Sequence, residues 1–302
     1  MAMKIPSYLH IGDCIGIVAP ARSISKDELK PAIDFLLQNG FRVTLGTSIF
    51  AKDHQFAGTD TERAADFQSM LDDPEIKAII CARGGYGSVR IIDKLDFTHF
   101  EENPKWICGY SDVTVFHSHL NRMGIATLHC TMPVNIKPET FDSLNNRSLI
   151  QGLTGGMLAY SVAPSPFNRK GTVRAEVVGG NLSILYSLLA SRSDIYTKGK
   201  ILFIEDLDEY LYHIDRMMMA LKRAGHLEQL AGLIVGSMSD MNDNAIPFGK
   251  DAEQIIHDVC AEYDFPVCYG FPAGHTCHNV AMRLGMEVTL SVTEGGTTVM
   301  WG

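Results

Sequence analysis

Residues 15–45 read IGIVAPARSISKDELKPAIDFLLQNGFRVTL, and this stretch decides the fold class. The apolar run at 15–19 predicts a buried strand. The amphipathic segment after it predicts a helix with Ser23 as its N-cap and an end near Asn39. A second strand is predicted at 41–45. A strand, a helix and a strand in succession predict a βαβ unit with two parallel strands.

The same alternation continues along the chain. Further strands are predicted at 78–82, 106–108, 173–178, 201–204, 233–235, 266–269, 286–292 and 297–301, and helices at 59–71, 88–95, 112–123, 182–189, 211–223 and 252–263. Short apolar strands separated by helices are typical of a mainly parallel sheet that is covered on both faces. Residues 138–170 interrupt the pattern with Pro, Gly, Ser and Asn. We therefore expect an interdomain connection there, between α/β domains at 1–137 and 171–302.

Length and charge narrow the class of protein. The chain has 302 residues, about twice the ~150 residues of a typical domain, which is expected for two domains or for one large domain. Its 26 basic and 35 acidic side chains give a net charge of −9, and they form no basic run. Nucleic acid is therefore excluded as an expected partner, because a phosphate backbone is bound by clustered Lys and Arg.

The apolar segments and the cysteines suggest a compartment. The longest apolar runs are far shorter than the ~18 residues of a membrane helix, and the N-terminus lacks the pattern of a secretory signal. Seven cysteines are an odd number, and no two form a CxxC pair. This pattern favours free thiols in a reducing compartment, so we expect a cytoplasmic enzyme with no membrane partner.

Two turns after predicted strands carry candidate reactive groups. The loop RGGYG at 83–87 has three glycines, whose backbone N–H groups could surround a phosphate or an oxyanion, or could serve only as a tight connection. In GYSDV at 109–113, Ser111 resembles the serine of a G-x-S-x-G nucleophile elbow, except that Val113 replaces the last glycine. Ser111 could equally be a helix cap.

Two further strand ends carry a carboxylate and a histidine. The strand 201–204 ends at Glu205, which could orient a histidine or belong to a solvated acidic turn. The loop FPAGHTCHN at 271–279 places His275 beside a glycine, where it could act as a general base. His275, Cys277 and His278 could also suggest zinc, but their spacing matches no standard zinc motif.

Ser111, Glu205 and His275 each follow a strand, and each is far from the others along the chain. Only tertiary folding could join them, as is usual in catalytic triads. The residues alone thus suggest a serine hydrolase.

Six motifs in order make the chain similar to the LD-carboxypeptidase family of serine peptidases. They are GD at 12–13 with APA at 19–21, RGGYG at 83–87, GYSD at 109–112, GGNL at 179–182, ED at 205–206 with IDRM at 214–217, and GHT at 274–276 with Asn279 and LG at 284–285. The resemblance implies an N-terminal flavodoxin-like parallel-sheet domain, a C-terminal α/β domain and an active site between them.

The resemblance also implies an activity. The expected reaction removes the terminal D-alanine of a murein tetrapeptide at an L,D bond, with Ser111, Glu205 and His275 as the triad and an acyl-enzyme intermediate. It implies no metal, no cofactor, and a cytoplasmic homodimer. The expected oxyanion hole consists of the backbone N–H groups of Gly85, chosen over Gly84, and Asp112.

The substrate's terminal carboxylate needs a binding group as well. Arg83 and the helix start at Asn181 are the candidates, with Arg174 as a weaker alternative.

The chain also departs from the family pattern at two places. It reads HCTM at 129–132 and MR at 282–283, where HGPM and LP are common in the family. These departures leave the triad intact but affect the expected substrate pocket.

Two other functions remain open at this point. One is an immunity peptidase of the same fold that cleaves a peptidyl-nucleotide conjugate. The other is a non-catalytic module that binds a nucleotide or sugar phosphate through the glycine-rich turns at 84–87 and 179–180. A binding module would not require Ser111, Glu205 and His275 to converge.

Overall fold

The computed structural model describes residues 3–302, and in this part of the chain two β-sheets are surrounded by helices. The strands are β1 (Cys14–Val18), β2 (Arg42–Leu45), β3 (Ile76–Cys81), β4 (Trp106–Gly109), β5 (Thr127–His129), β6 (Ala159–Val162), β7 (Gly171–Asn181), β8 (Ile201–Leu207), β9 (Gly232–Ser239), β10 (Val267–Cys268), β11 (Met282–Leu284), β12 (Glu287–Thr293) and β13 (Gly296–Trp301). The helices are α1 (Lys26–Gln38), α2 (Asp60–Asp72), α3 (Thr98–Glu102), α4 (Thr114–Arg122), α5 (Leu144–Thr154), α6 (Leu182–Ser187), α7 (Leu211–Arg223) and α8 (Ala252–Val259).

The first sheet has the strand order β2-β1-β3-β4-β5, and all five strands are parallel. This order confirms the flavodoxin-like arrangement. It reverses direction between β1 and β3, which is where open α/β sheets bind their ligands at the carboxyl ends of the strands. A sixth strand, β11, pairs antiparallel with β5, so residues late in the chain complete the first sheet.

The second sheet is mixed. Its order is β10-β9-β8-β7-β12-β13-β6, with β7 to β10 parallel and β12, β13 and β6 added antiparallel. The predicted connection at 138–170 holds the helix α5 and the edge strand β6, which pairs with β13. This segment therefore adds a strand to the second sheet.

Both faces of β1 are buried, which explains its continuous apolar sequence. Ile15 and Ile17 pack into one hydrophobic cluster, and Val18 packs into another on the opposite face. In the second cluster Phe67 of α2 and Phe116 of α4 stack with ring centroids 4.3 Å apart. The expected coverage of a parallel sheet on both faces is thus present.

Local hydrogen bonding shifts two predicted helix features. The first helix begins at Lys26 because Ser25, not Ser23, forms a reciprocal capping box with Glu28. Residues 88–95, predicted as a helix, form two 3-10 turns at 88–90 and 92–94, held by bonds between residues three apart. The helix prediction at 88–95 was therefore wrong in type.

Among residues 3–302, no helix combines the length and hydropathy that a membrane-spanning segment needs.

Candidate active site

A cleft of about 420 Å³ lies between the carboxyl ends of the strands of the two sheets. Loops that follow β1, β3, β4 and β5 form one wall, and residues from the end of β8 and from the loop after β10 form the other. The lining residues are Arg22, Arg83, Gly84, Gly85, Tyr110, Ser111, Met132, Val134, Asn135, Leu207, Asp208, Glu209 and His275. The cleft thus brings Ser111 and His275 together from different sheets.

Ser111 occupies a strained turn directly after β4. Its φ is +63°, in the left-handed region that L-residues other than glycine rarely adopt. Such strain at a cleft is characteristic of reactive serines on strand-to-helix turns. A Cβ added at Gly84 would lie 3.1 Å from Ser111 Oγ, so the glycine loop after β3 passes directly beside the hydroxyl.

The turn tolerates Val113 because of Gly109. A Cβ at Gly109 would lie 2.8 Å from a methyl group of Val113, so the glycine before the turn leaves room for the valine side chain. The valine in place of the last elbow glycine is therefore compatible with the reactive conformation of Ser111.

Glu205 and His275 form a hydrogen-bonded pair on the opposite wall. His275 Nδ1 lies 2.7 Å from Glu205 Oε2, and because a carboxylate only accepts, Nδ1 carries the proton. His275 Nε2 is therefore free to act as a base. Burial alone would lower the pKa of His275, but the hydrogen bond and charge of Glu205, with the charge of Asp206, outweigh it and raise the pKa.

The strand β8 delivers Glu205 at a register shift between Ile204 and Asp206. A register shift of this kind re-aims side chains next to active sites. Gly236 and Gly274 allow the close approach, since a Cβ at either position would lie 3.2 Å or less from Glu205 Cβ. The solvated acidic turn considered for this segment does not form, because Glu205 and Asp206 are both buried.

Asp206 is held separately from the pair. It accepts hydrogen bonds from the backbone N–H groups of Ser183 and Leu207 and from the side-chain amide of Asn181, all at 2.9 Å. Burial and the charge of Glu205 raise the pKa of Asp206 to about 7.

Within residues 3–302, no hydrogen bond joins Ser111 Oγ to His275 Nε2. Catalytic hydrogen bonds are often long in enzymes without bound substrate and shorten in the complex. Tyr110 belongs to the wall that carries Ser111, and its ring centroid is 4.8 Å from that of His275 on the other wall. The ring of His275 is therefore held by Glu205 through its Nδ1 and packs at a tilt against the ring of Tyr110.

The expected oxyanion donors belong to two segments near Ser111: Asp112 follows it in the chain, and Gly85 follows Gly84, which lies beside its hydroxyl. The backbone N–H groups of Gly85 and Asp112 donate to no protein acceptor within residues 3–302. The buried Asp112 carboxylate accepts the N–H of Ser88 at 2.8 Å, and burial raises its pKa. Arg63, also buried, donates to the carbonyl of Gly87 at 3.0 Å. These contacts fix the glycine loop against the serine turn.

The expected carboxylate-binding residues differ in their surroundings. Arg83 lines the cleft, but its guanidinium pairs with Glu28 at 3.2 Å. Asn181 is buried, and its side chain caps α6 and donates to Asp206, so it does not line the cleft. Arg174 is exposed and paired with Glu287.

Arg22 lines the cleft as well, and the sequence pattern contained no signal for it.

A buried contact behind the catalytic loop was also not anticipated. Asn279 Oδ1 accepts the N–H of Gly274 at 3.0 Å and lies 2.9 Å from His129 Nε2, which must therefore carry a proton. Burial lowers the pKa of His129 to about 3, so its ring is neutral. His129 ends the buried strand β5, a strand of only three residues that the hydrophobic pattern did not predict, so no predicted strand end pointed to it.

The departures from the family pattern fall in different environments. In the stretch at 129–132, the residues that differ from the family pattern are Cys130 and Thr131, and both are buried and absent from the cleft lining. Arg283 does not line the cleft; it is buried and donates to the carbonyls of Gln151 and Gly152 at the end of α5. Neither departure therefore places a differing residue in the cleft lining, although Met132, next to the first one, does line it.

No group of three or more His, Cys, Asp or Glu side chains within residues 3–302 is arranged to hold a metal ion.

Comparison with known proteins identifies the family. Residues 15–130 match the N-terminal domain of LD-carboxypeptidases, and residues 174–290 match their C-terminal domain. A protein of Bacillus subtilis strain 168 named probable murein peptide carboxypeptidase is 35% identical, over 96% of this chain and 92% of its own. The chain belongs to the LD-carboxypeptidase family. It is accordingly a serine-type carboxypeptidase.

Two other similarities complete the comparison. The crystal structure of muramoyltetrapeptide carboxypeptidase from Oxalobacter formigenes has a TM-score of 0.88 and 26% identity, and the match covers 96% of this chain and 98% of the other. The microcin C7 self-immunity protein MccF of Escherichia coli is 26% identical, over 93% of this chain and 91% of its own. The proteins similar to this chain thus include one named as a carboxypeptidase and one named as a self-immunity protein.

Proposed function

We propose that this LD-carboxypeptidase releases the terminal D-alanine of murein tetrapeptides by hydrolysing an L,D peptide bond, with Ser111, Glu205 and His275 as its triad. The observation that carries the proposal is the buried Glu205–His275 hydrogen bond, which faces the same cleft as the strained Ser111 turn. The substrate is supported by the names of the Bacillus and Oxalobacter relatives.

The first step forms an acyl-enzyme. Ser111 Oγ attacks the carbonyl carbon of the scissile bond while His275 Nε2 takes the hydroxyl proton, and Glu205 stabilises the imidazolium that forms. The carbonyl oxygen becomes an oxyanion and accepts hydrogen bonds from the N–H groups of Gly85 and Asp112. Each such donor typically lowers the barrier by about 3–4 kcal/mol.

The second half of the reaction restores the enzyme. The C–N bond breaks, and His275 gives its proton to the departing amine of D-alanine. A water molecule then attacks the ester carbonyl, with His275 Nε2 again accepting a proton. When the C–O bond to Ser111 breaks, the proton returns to Oγ and the shortened peptide leaves with a new carboxylate.

The direct test is incubation with a purified murein tetrapeptide in the presence of a chelator, followed by mass spectrometry. The proposal predicts loss of one alanine at an unchanged rate with chelator, and no loss with Ser111→Ala. A rate that falls with chelator would contradict the metal-independent mechanism. An intact tetrapeptide together with cleavage of a peptidyl-nucleotide conjugate would instead favour the immunity function suggested by the resemblance to MccF.

We also propose that the chain works as a homodimer in the cytoplasm. The support for the compartment is that all seven cysteines are unpaired, six of them buried, which suits a reducing environment. Light scattering on the purified protein tests the dimer, and a mass of one chain would refute it.

A further inference from the structure

A carboxypeptidase must distinguish a free terminal carboxylate from the rest of a peptide chain. We propose that Arg22 is the residue that binds this carboxylate, and this inference rests on the proposed function. Neither the family motifs nor the expected candidates Arg83 and Asn181 include Arg22.

The position of Arg22 is the first argument. It lies in the loop after β1, beside the point where the strand order of the first sheet reverses. Its side chain crosses Gly85, since a Cβ added there would lie 2.6 Å from Arg22 Cδ and 2.9 Å from Nε. Gly85, with φ +109°, thus leaves the space that Arg22 occupies. The guanidinium is therefore adjacent to the proposed oxyanion donor.

The free charge of Arg22 is the second argument. Within residues 3–302, its guanidinium makes no ion pair or hydrogen bond with another side chain, whereas Arg83 is paired with Glu28. The backbone of Arg22 is nevertheless anchored, because it forms a bridge with Phe56 and its N–H donates to the Gly84 carbonyl. An arginine with an anchored backbone and an unpaired, planar guanidinium is suited to bidentate binding of a carboxylate.

The charge of the opposite wall is the third argument. Asp208 and Glu209 line the cleft across from the arginines, and a terminal carboxylate on that side would be repelled. Glu209 is hydrogen-bonded to His213 at 2.6 Å, and Asp208 accepts from Asn242 at 2.9 Å. The departing D-alanine therefore points toward Arg22, and the acyl part of the peptide points toward the acidic wall.

The experiment compares a murein tetrapeptide that ends in D-alanine with the same peptide that ends in D-alaninamide. Values of kcat and KM are measured for both with wild type, Arg22→Gln, Arg22→Lys and Arg83→Gln. Arg42→Gln is the matched control, because it removes one exposed cation at the far end of β2, outside the cleft. Hydrolysis of the amide also reports whether each variant is folded.

We expect Arg22→Gln to lower kcat/KM for the acid by about 10- to 100-fold, mainly through KM, with little change for the amide. The acid-to-amide preference therefore collapses, Arg22→Lys restores part of it, and Arg42→Gln leaves it at the wild-type value. An unchanged preference in Arg22→Gln, or a collapse in Arg83→Gln alone, would overturn the assignment.

A failure of the proposed function has a different signature. If the wild-type chain hydrolyses neither peptide, the murein activity is wrong and the Arg22 assignment is refuted with it. If the wild-type chain hydrolyses acid and amide equally well, the peptidase activity stands and only the role of Arg22 is refuted.

Discussion

In the first sheet the proposed nucleophile is Ser111, and backbone conformation positions it, whereas beside the second sheet burial and side-chain hydrogen bonds position Glu205 and His275. Ser111 sits at φ +63°, with its side chain exposed to the cleft. Glu205 is fully buried, and the only hydrogen-bonded partner of its carboxylate within residues 3–302 is His275. The wall that carries Ser111 thus holds a strained backbone turn. The opposite wall keeps the hydrogen-bonded Glu205–His275 pair away from water.

The difference has a chemical reason. A nucleophile must reach the substrate, so it is best presented at the tip of a rigid turn, and the neighbouring backbone N–H groups can then serve the oxyanion. A base must keep one tautomer and an elevated pKa, and a buried carboxylate provides both. The following changes test this contrast, beginning with the largest expected effect.

Ser111→Ala removes the nucleophile while the backbone of the turn stays in place. We expect release of D-alanine to fall by at least about 10⁴-fold, because the remaining groups cannot form an acyl-enzyme. Alanine release is measured by mass spectrometry, and circular dichroism checks that the fold is retained. Activity near wild type would show that another group attacks the peptide.

Glu205→Gln removes the charge of the buried pair and keeps its shape. We expect kcat to fall by about 10³- to 10⁴-fold. The base works only when neutral, so wild-type activity is lost as pH falls through a His275 pKa above the ordinary 6.5. Without Glu205 burial dominates and the pKa drops, which moves the acid limb to lower pH.

The measurement for Glu205→Gln is kcat/KM from about pH 5 to about pH 8. An acid limb that moves to higher pH in the variant would contradict the assigned role of Glu205.

Asn279→Ala breaks the buried contact that links His129 to the backbone before His275. We expect kcat to fall about 10-fold at similar KM, and stability to fall by about 1–3 kcal/mol, because Gly274 and His129 lose their acceptor. Asn146→Ala is the matched control: Asn146 is also buried, and it donates to Thr140 in the segment before α5. The control should lose stability without losing kcat, and equal kcat losses in both variants would refute a positioning role.

Ser111→Gly, compared with Ser111→Ala, measures the strain itself. Both variants lack the nucleophile, but glycine adopts φ +63° without the steric cost of a Cβ. Allowing for the greater flexibility of glycine in the unfolded chain, we expect the glycine variant to be about 1 kcal/mol more stable. Thermal unfolding should show a melting temperature about 2 °C higher. A lower one would mean that the turn is not strained.

Much of the fold could be predicted from the sequence because it depends on local periodicity. The apolar run of β1 and the amphipathic pattern of α7 are properties of single segments, and both elements form where predicted. Residues 88–95 could not be assigned correctly, since 3-10 and α-helical turns share their pattern over so few residues. The pairing of β11 with β5 was also beyond reach, because it joins segments about 150 residues apart.

The sequence by itself determined which groups are proposed to react and their places after strands: Ser111, Glu205 and His275 could each be named from a motif and a predicted strand end. Only the tertiary structure decided which of the polar side chains already have a hydrogen-bond or ion-pair partner. Asn181 donates a hydrogen bond to Asp206, and Arg83 forms an ion pair with Glu28. Within residues 3–302, the guanidinium of Arg22 has no such side-chain partner and lies at the cleft. The physical reason is that hydrogen bonds and ion pairs depend on distances between segments remote in sequence. Such distances exist only after the two sheets have packed.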